Sequence, residues 1–223
     1  MNFDPLAAAL GFGVLLISLT IHEAAHAWTA DRLGDPTARM LGRVSLNPLV
    51  HIDWVGTVLL PLLAMFSGLL LIGWAKPVPV NTRNLRHPRR DFMLVAAAGP
   101  ISNLLQALAA AFILRGTVAT GAAPTLGVTF LTQFVFTNLA LAFFNLIPVP
   151  PLDGSHLFYH LLPPKAGNWY RSLQQFGSLL LIPLFLFFQP VVRVFLLPVN
   201  EGLTLLLPWL QRYTLGEGWN IFP

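Results

Sequence analysis

Apolar residues gather in five long runs along this chain, separated by short, polar, turn-rich segments. The runs cover residues 6–30, 52–73, 92–114, 128–147 and about 176–197. Each is close to the roughly 20 residues that a helix needs to cross a hydrocarbon core of about 30 Å. The pattern predicts an all-α polytopic membrane protein with about five apolar segments. The first run is expected to be retained: residues 1–5 carry no base, and its second half holds His, Glu and His where a leader would have a small-residue cleavage site. Between the runs, Gly34-Asp35-Pro36 marks a turn after the first helix. Two extended pieces, near 39–46 and at 76–80, predict a small interfacial β-hairpin or edge strand. Pro77 and Pro79 cannot donate to a ladder, which leaves the second piece an edge strand or no strand. The fifth run is interrupted by Pro183 and Pro190 and contains Arg193, which should face protein or reach the interface. Residues 203–209 are expected along the membrane surface. With no repeat and no separating linker, 1–223 reads as one integral-membrane domain. Its core is about 6–160 and its C-terminal membrane segment about 176–212.

Composition reinforces the membrane reading. Of 223 residues, 55% are hydrophobic and 10% charged, with a mean hydropathy of +0.67. A soluble domain carries roughly 25% charged residues, so nine acids and thirteen bases cannot clothe one. A soluble enzyme, a disordered chain and a DNA-binding domain are excluded. The net charge of +4 does not point to nucleic acid, because the bases lie between apolar runs, where they orient membrane spans. Without cysteine there is no disulfide, no thiolate metal site and no thiol nucleophile. Any metal falls to His, Asp or Glu.

Within the first run the chain reads Thr20-Ile21-His22-Glu23-Ala24-Ala25-His26. Positions i and i+4 share a helix face, so His22 and His26 can aim imidazole nitrogens at one ion. Glu23 lies about 100° round the helix, beside that ion, where it can take a proton from an activated water. The plain alternative is a helix with incidental polar residues. Each ionisable group in an apolar span costs roughly 2.5–3.5 kcal/mol, and three in five residues favour the metal reading. Two His leave a tetrahedral zinc one protein ligand short if the fourth position is kept for water. Candidates are His51, Asp53, His87, Asp153, His156 and His160. The segment 145–156, Asn-Leu-Ile-Pro-Val-Pro-Pro-Leu-Asp-Gly-Ser-His, favours Asp153, an acid at a helix restart after three prolines. Broken helices at membrane depth are tolerated only when buried or lining a cavity. The alternative there is an interfacial turn with Asp153 as an N-cap. His156 and His160 form a second i, i+4 pair with no Glu between them, and read as polar residues at the mouth of their helix.

Three motifs together carry a resemblance: His22-Glu23-Ala24-Ala25-His26, Gly99-Pro100-Ile101-Ser102-Asn103, and Asn145…Pro148…Leu152-Asp153-Gly154. The chain resembles the site-2 protease family of intramembrane zinc metalloproteases, in a minimal form without an appended regulatory domain. The resemblance implies one zinc per chain held by His22, His26 and Asp153, with Glu23 as the catalytic base. It implies that Asn145 stabilises substrate or oxyanion. Asn103 carries over less directly, since Gly99 to Asn103 also reads as a small-residue packing face. The apolar run 52–73, between the zinc helix and the Gly-Pro helix, departs from the family's simple spacing.

Zinc bonds of about 2 Å force His26 and Asp153 to one depth. Strict alternation of four crossings would put them on opposite faces. A run 52–73 that dips in and returns, broken around Pro61 or Ser67-Gly68, removes the conflict. It also puts the three bases of 31–51 and the five of 74–91 on one face. Positive-inside bias then makes that face cytoplasmic and the N-terminus external. The expected activity is hydrolysis of a peptide bond in or near a transmembrane segment of a membrane-protein substrate, at the plasma or inner membrane. An extended piece, 76–80 or 39–46, would hold the unwound substrate by strand addition. No nucleic-acid partner is expected beside that substrate and the bilayer. Two rivals are a metal-binding transporter or sensor, in which Glu23 would have no task, and an inactive scaffold, which would bind no stoichiometric zinc.

Overall fold

The computed structural model describes residues 5–67, 74–119 and 126–174, with Gly177. Three of its helices are long and apolar enough to cross a membrane. They are α1 (Pro5–Arg32), α4 (Pro88–Ala119) and α5 (Leu126–Asn145). Shorter helices fill the connections: α2 (Thr37–Met40), α3 (Leu60–Ser67), α6 (Asp153–Leu161) and α7 (Pro164–Gln174). Of the five runs expected to be membrane segments, three are such helices. The second takes another form, and residues 176–197, apart from Gly177, and 203–209 lie outside the described residues.

α1 stops where a glycine lets it. Gly34 adopts φ +112°, Gly34 N–H donates to Asp31 O, and Asp35 N–H donates to Ala30 O at 2.9 Å. These bonds satisfy carbonyls that the helix end would otherwise orphan. Asp35 is fully buried just beyond and joins two loops. Its carboxylate accepts from Thr37 on one side and from Asn81 N–H and Asn84 Nδ2 on the other.

α1 and α5 run parallel, with α4 antiparallel between them. His22 meets Asn103 and His26 meets Val95, while Ser18 meets Asn138. Close approach of α4 and α5 is possible because α4 offers Ala107, Ala110 and Ala111 to Val128, Val135 and Leu139. The outer face of α4 exposes Leu105, Leu108, Phe112 and Ile113, a surface suited to lipid tails.

The run 52–73 begins with a wide π-helical turn, Trp54–Leu59, that passes directly into α3. Asp53 caps the turn, accepting from Val55 N–H and Gly56 N–H. The two ends of the run lie side by side. Trp74 N–H donates to Gly56 O at 3.1 Å, Thr57 Oγ1 donates to Trp74 O at 2.8 Å, and Lys76 N–H donates to His51 O at 2.9 Å. A Cβ on Gly56 would collide with the Trp74 indole. The chain therefore leaves and returns at one place, as a hairpin-like segment requires. Pro61 is not the break: the chain runs helical through it from Trp54 to Ser67.

The expected β-hairpin is absent, since no strand occurs among the described residues. Residues 39–46 instead finish α2 and turn at Gly42, which adopts φ +68°. Residues 76–80 form no ladder because Pro77 and Pro79 have no N–H to give. Two of the donors that remain are used elsewhere, Lys76 N–H on His51 O and Val78 N–H on the Glu23 carboxylate.

α6 restarts the chain after the proline segment and tucks against the end of α5. A Cβ on Gly154 would fall within 3.0 Å of Leu146 and Ile147 backbone atoms, which cannot give way. α7 fastens the same segment from outside, as Tyr170 Oη donates to Pro148 O at 2.8 Å.

Candidate metal centre

His22 and His26 lie one turn apart on α1, both buried. Their rings are close, with His22 Nε2 and His26 Nε2 separated by 3.1 Å. Asp153, the first residue of α6, reaches them with Oδ2, at 3.1 Å from His22 Nε2 and 3.3 Å from His26 Nε2. Zinc bonds of 2.0–2.1 Å at tetrahedral angles set ligand atoms about 3.3 Å apart. The three atoms therefore form one face of a zinc-sized tetrahedron.

Proton placement makes the fit sharper. His26 Nδ1 lies 2.7 Å from Val95 O, an atom that only accepts, so Nδ1 carries the proton and Nε2 a lone pair. His22 Nδ1 lies 2.5 Å from Asn103 Oδ1 and donates to it. Two imidazole lone pairs and a carboxylate oxygen then face one another with no donor between them. Asp153 Oδ2 is buried and has no hydrogen-bond partner. Such a site draws a cation. Each imidazole, its other nitrogen tied off, is already oriented for one.

Space for the rings comes from α4. A Cβ on Gly99 would lie within 3.0 Å of His26 Nε2 and of His22 ring atoms. The Gly99-to-Asn103 motif is thus more than a packing face: Gly99 admits both rings, and Asn103 fixes one of them.

Glu23 is half-buried beside the centre, and its Oε2 accepts the Val78 N–H at 3.2 Å. The loop that carries Val78 is itself held. Arg43, buried, donates from Nη2 to Lys76 O at 2.5 Å, and His51 O accepts from Lys76 N–H. Asn145 is not brought into the triad: its Nδ2 donates to Leu141 O on its own helix.

Among the described residues, His22, His26 and Asp153 are the group placed to share a metal. His51 is not part of that group, and its Nε2 donates to Ser45 O at 2.8 Å. Asp53 is a cap, and His87 marks the start of α4, its N–H on Asp91 Oδ2. His156 and His160 lie edge-on to Phe92 in the adjacent helix. Sequence reading missed Asn138, the partner of Asn103, and the Val78 amide. An amide inside an apolar span was a signal for the first; a backbone donor leaves none in sequence.

The sequence model of Peptidase family M50 matches residues 116–184. YwhC of Bacillus subtilis (strain 168) is 40% identical over 176 residues, 77% of this chain and 77% of its own. Rip2 of Mycobacterium tuberculosis (strain ATCC 25618 / H37Rv) is 35% identical over 191 residues, 82% of this chain and 70% of its own. Both relatives are named as zinc metalloproteases. No solved structure matches the chain. With the three motifs at one end of a three-helix core and relatives covered over most of their length, the chain belongs to the site-2 protease family, peptidase family M50.

Proposed function

We propose that this chain is an intramembrane zinc endopeptidase that hydrolyses a peptide bond in or near a transmembrane segment of a membrane protein. The observation that carries the reading is the convergence of two imidazole lone pairs and an unpartnered carboxylate oxygen in a buried site. His22, His26 and Asp153 would hold the zinc. Bound there, zinc supplies Lewis acidity toward water and the scissile carbonyl. Glu23 takes the proton of the attacking water, whose oxygen joins the carbonyl carbon, and delivers it to the departing amide nitrogen. The Val78 N–H steadies the Glu23 carboxylate for that exchange. Asn145 is the proposed oxyanion donor, and in that role its amide leaves Leu141 O for the substrate.

His22 and His26 lie in the last three turns of α1 and Asp153 just past α5, and the connections that follow α1 and precede α4 carry Arg39, Arg43, Arg86 and, at the start of α4, Arg89 and Arg90. Positive-inside bias supports a site toward the cytoplasmic side of the plasma or inner membrane. The adjoining run 52–73, whose ends meet, is proposed as a re-entrant segment on that side.

Glu23→Gln tests the mechanism. The purified variant is expected to keep one zinc per chain and to cleave a membrane-peptide reporter about 10²–10⁴-fold more slowly. Wild-type rates from that variant would overturn the base assignment. A zinc-loaded wild type that cleaves nothing would favour a transporter or sensor, and a wild type without zinc an inactive scaffold.

A further inference from the structure

A line of buried hydrogen bonds leads away from His22 and returns to the same helix. Asn103 on α4, Asn138 on α5 and Ser18 on α1 are all fully buried. Asn138 Nδ2 donates to Phe134 O and to Ser18 Oγ, each at 2.9 Å. Asn103 Nδ2 donates to Asn138 Oδ1 at 2.7 Å, and Asn103 Oδ1 faces His22 Nδ1 at 2.5 Å.

The direction of this line is set at its far end. Phe134 O is a backbone carbonyl and can only accept, so the Asn138 side chain must turn its nitrogen toward it. That leaves Asn138 Oδ1 facing Asn103. An Asn103 turned the other way would set two oxygens against each other, so its nitrogen points to Asn138 and its oxygen to His22. An oxygen without a proton obliges His22 to carry its proton on Nδ1. The lone pair is then on Nε2, the atom aimed at His26 and Asp153. Ser18 does not set direction, because a hydroxyl both donates and accepts.

We propose that Asn138 is a positioning residue for the metal centre: anchored on Phe134 O, it fixes the Asn103 amide and thereby the metal-ready tautomer of His22. This rests on the zinc reading, and the two fail differently. Without Asn138 the Asn103 amide is free to turn, and its nitrogen then meets His22 as a donor. His22 would present a lone pair to Asn103 and a proton to the metal site.

The experiment uses the full chain in detergent, with ¹⁵N-histidine labelling and zinc affinity measured by chelator competition. Metal-stripped wild type is expected to show His22 protonated at Nδ1. Asn138→Leu is expected to show mixed tautomers at His22, His26 unchanged, and zinc affinity lower by about 10–100-fold, the usual cost of losing an outer partner of a metal-bound His. Ser18→Ala, which loses a bond between helices but keeps the Phe134 anchor, should hold the wild-type tautomer and stay within about twofold in zinc affinity. A folded Asn138→Leu with wild-type affinity and a pure Nδ1–H tautomer would overturn the proposal. Equal losses in Ser18→Ala and Asn138→Leu would reduce the line to helix–helix adhesion and also overturn it. If Asn138→Leu does not fold, an Nε2–H tautomer in wild type overturns the proposal and an Nδ1–H tautomer supports it. A wild type that takes up no zinc sinks the functional reading instead.

Discussion

His22 and Glu23 are neighbours in sequence, yet different parts of the molecule hold them. His22 is fixed by side chains of two other long helices, through amides that are fully buried. Glu23 is fixed by a loop, through the backbone N–H of Val78, and that loop is moored by Arg43 and His51 from the preceding connection. About 100° of rotation on α1 thus separates a ligand set in the helix core from a base set by the connections at its edge. The metal half is expected to behave as part of the scaffold. The base half is expected to respond to changes in loops that touch no metal ligand.

Gly99→Ala gives the hardest blow to the metal half. The new methyl would occupy the place of both imidazoles, and zinc affinity should fall by about 100-fold, at the upper end of outer-partner losses. Chelator competition reads it, and an affinity within threefold of wild type would mean that the rings are not confined by α4. Val78→Pro addresses the other half, deleting the N–H that meets Glu23. A hydrogen bond to a charged group is worth roughly 1.5–3 kcal/mol, so turnover should drop at least about tenfold with one zinc still bound. Loss of zinc in this variant would erase the division between the halves.

Asp35→Ala should leave chemistry largely intact and act on stability. Burial pushes the Asp35 carboxyl up, but hydrogen bonds from Thr37, Asn84 and Asn81 outweigh it and hold the group below its ordinary value. A depressed folded value gives stability that is present above the unfolded carboxylate range, near pH 4, and is lost as pH falls through the folded value. The variant should be less stable by about 1–3 kcal/mol at pH 7. Thermal midpoints of the two proteins should converge as the buffer is acidified below that range. A gap that stays constant with pH would remove the carboxylate from the account.

The pairing of His22 with His26 was legible because helix periodicity is local and four residues suffice to read it. Asp153 was legible because three prolines announce a break and an acid stands at the restart. That the two ends of the run 52–73 lie together followed from zinc geometry and the placement of bases, though the π-helical opening did not, since that depends on how Gly56 meets Trp74. The strand expected at 76–80 failed where its own prolines remove the donors, and the freed Val78 N–H found Glu23. Asn103 looked like packing because its partner is 35 residues away on another helix. Amides earn meaning only from what they face, and facing is a property of the fold.

The two imidazoles also differ in how they would tolerate sequence drift. His26 leans on Val95 through a main-chain carbonyl, which Ala, Leu or Ile at that position would supply equally well. His22 depends on two particular side chains, and a single codon change at either can remove its support. In a random-mutagenesis library, variants with weakened metal binding should therefore fall at 103 and 138 as well as at the ligands and Gly99, while position 95 accepts most residues that fit the helix.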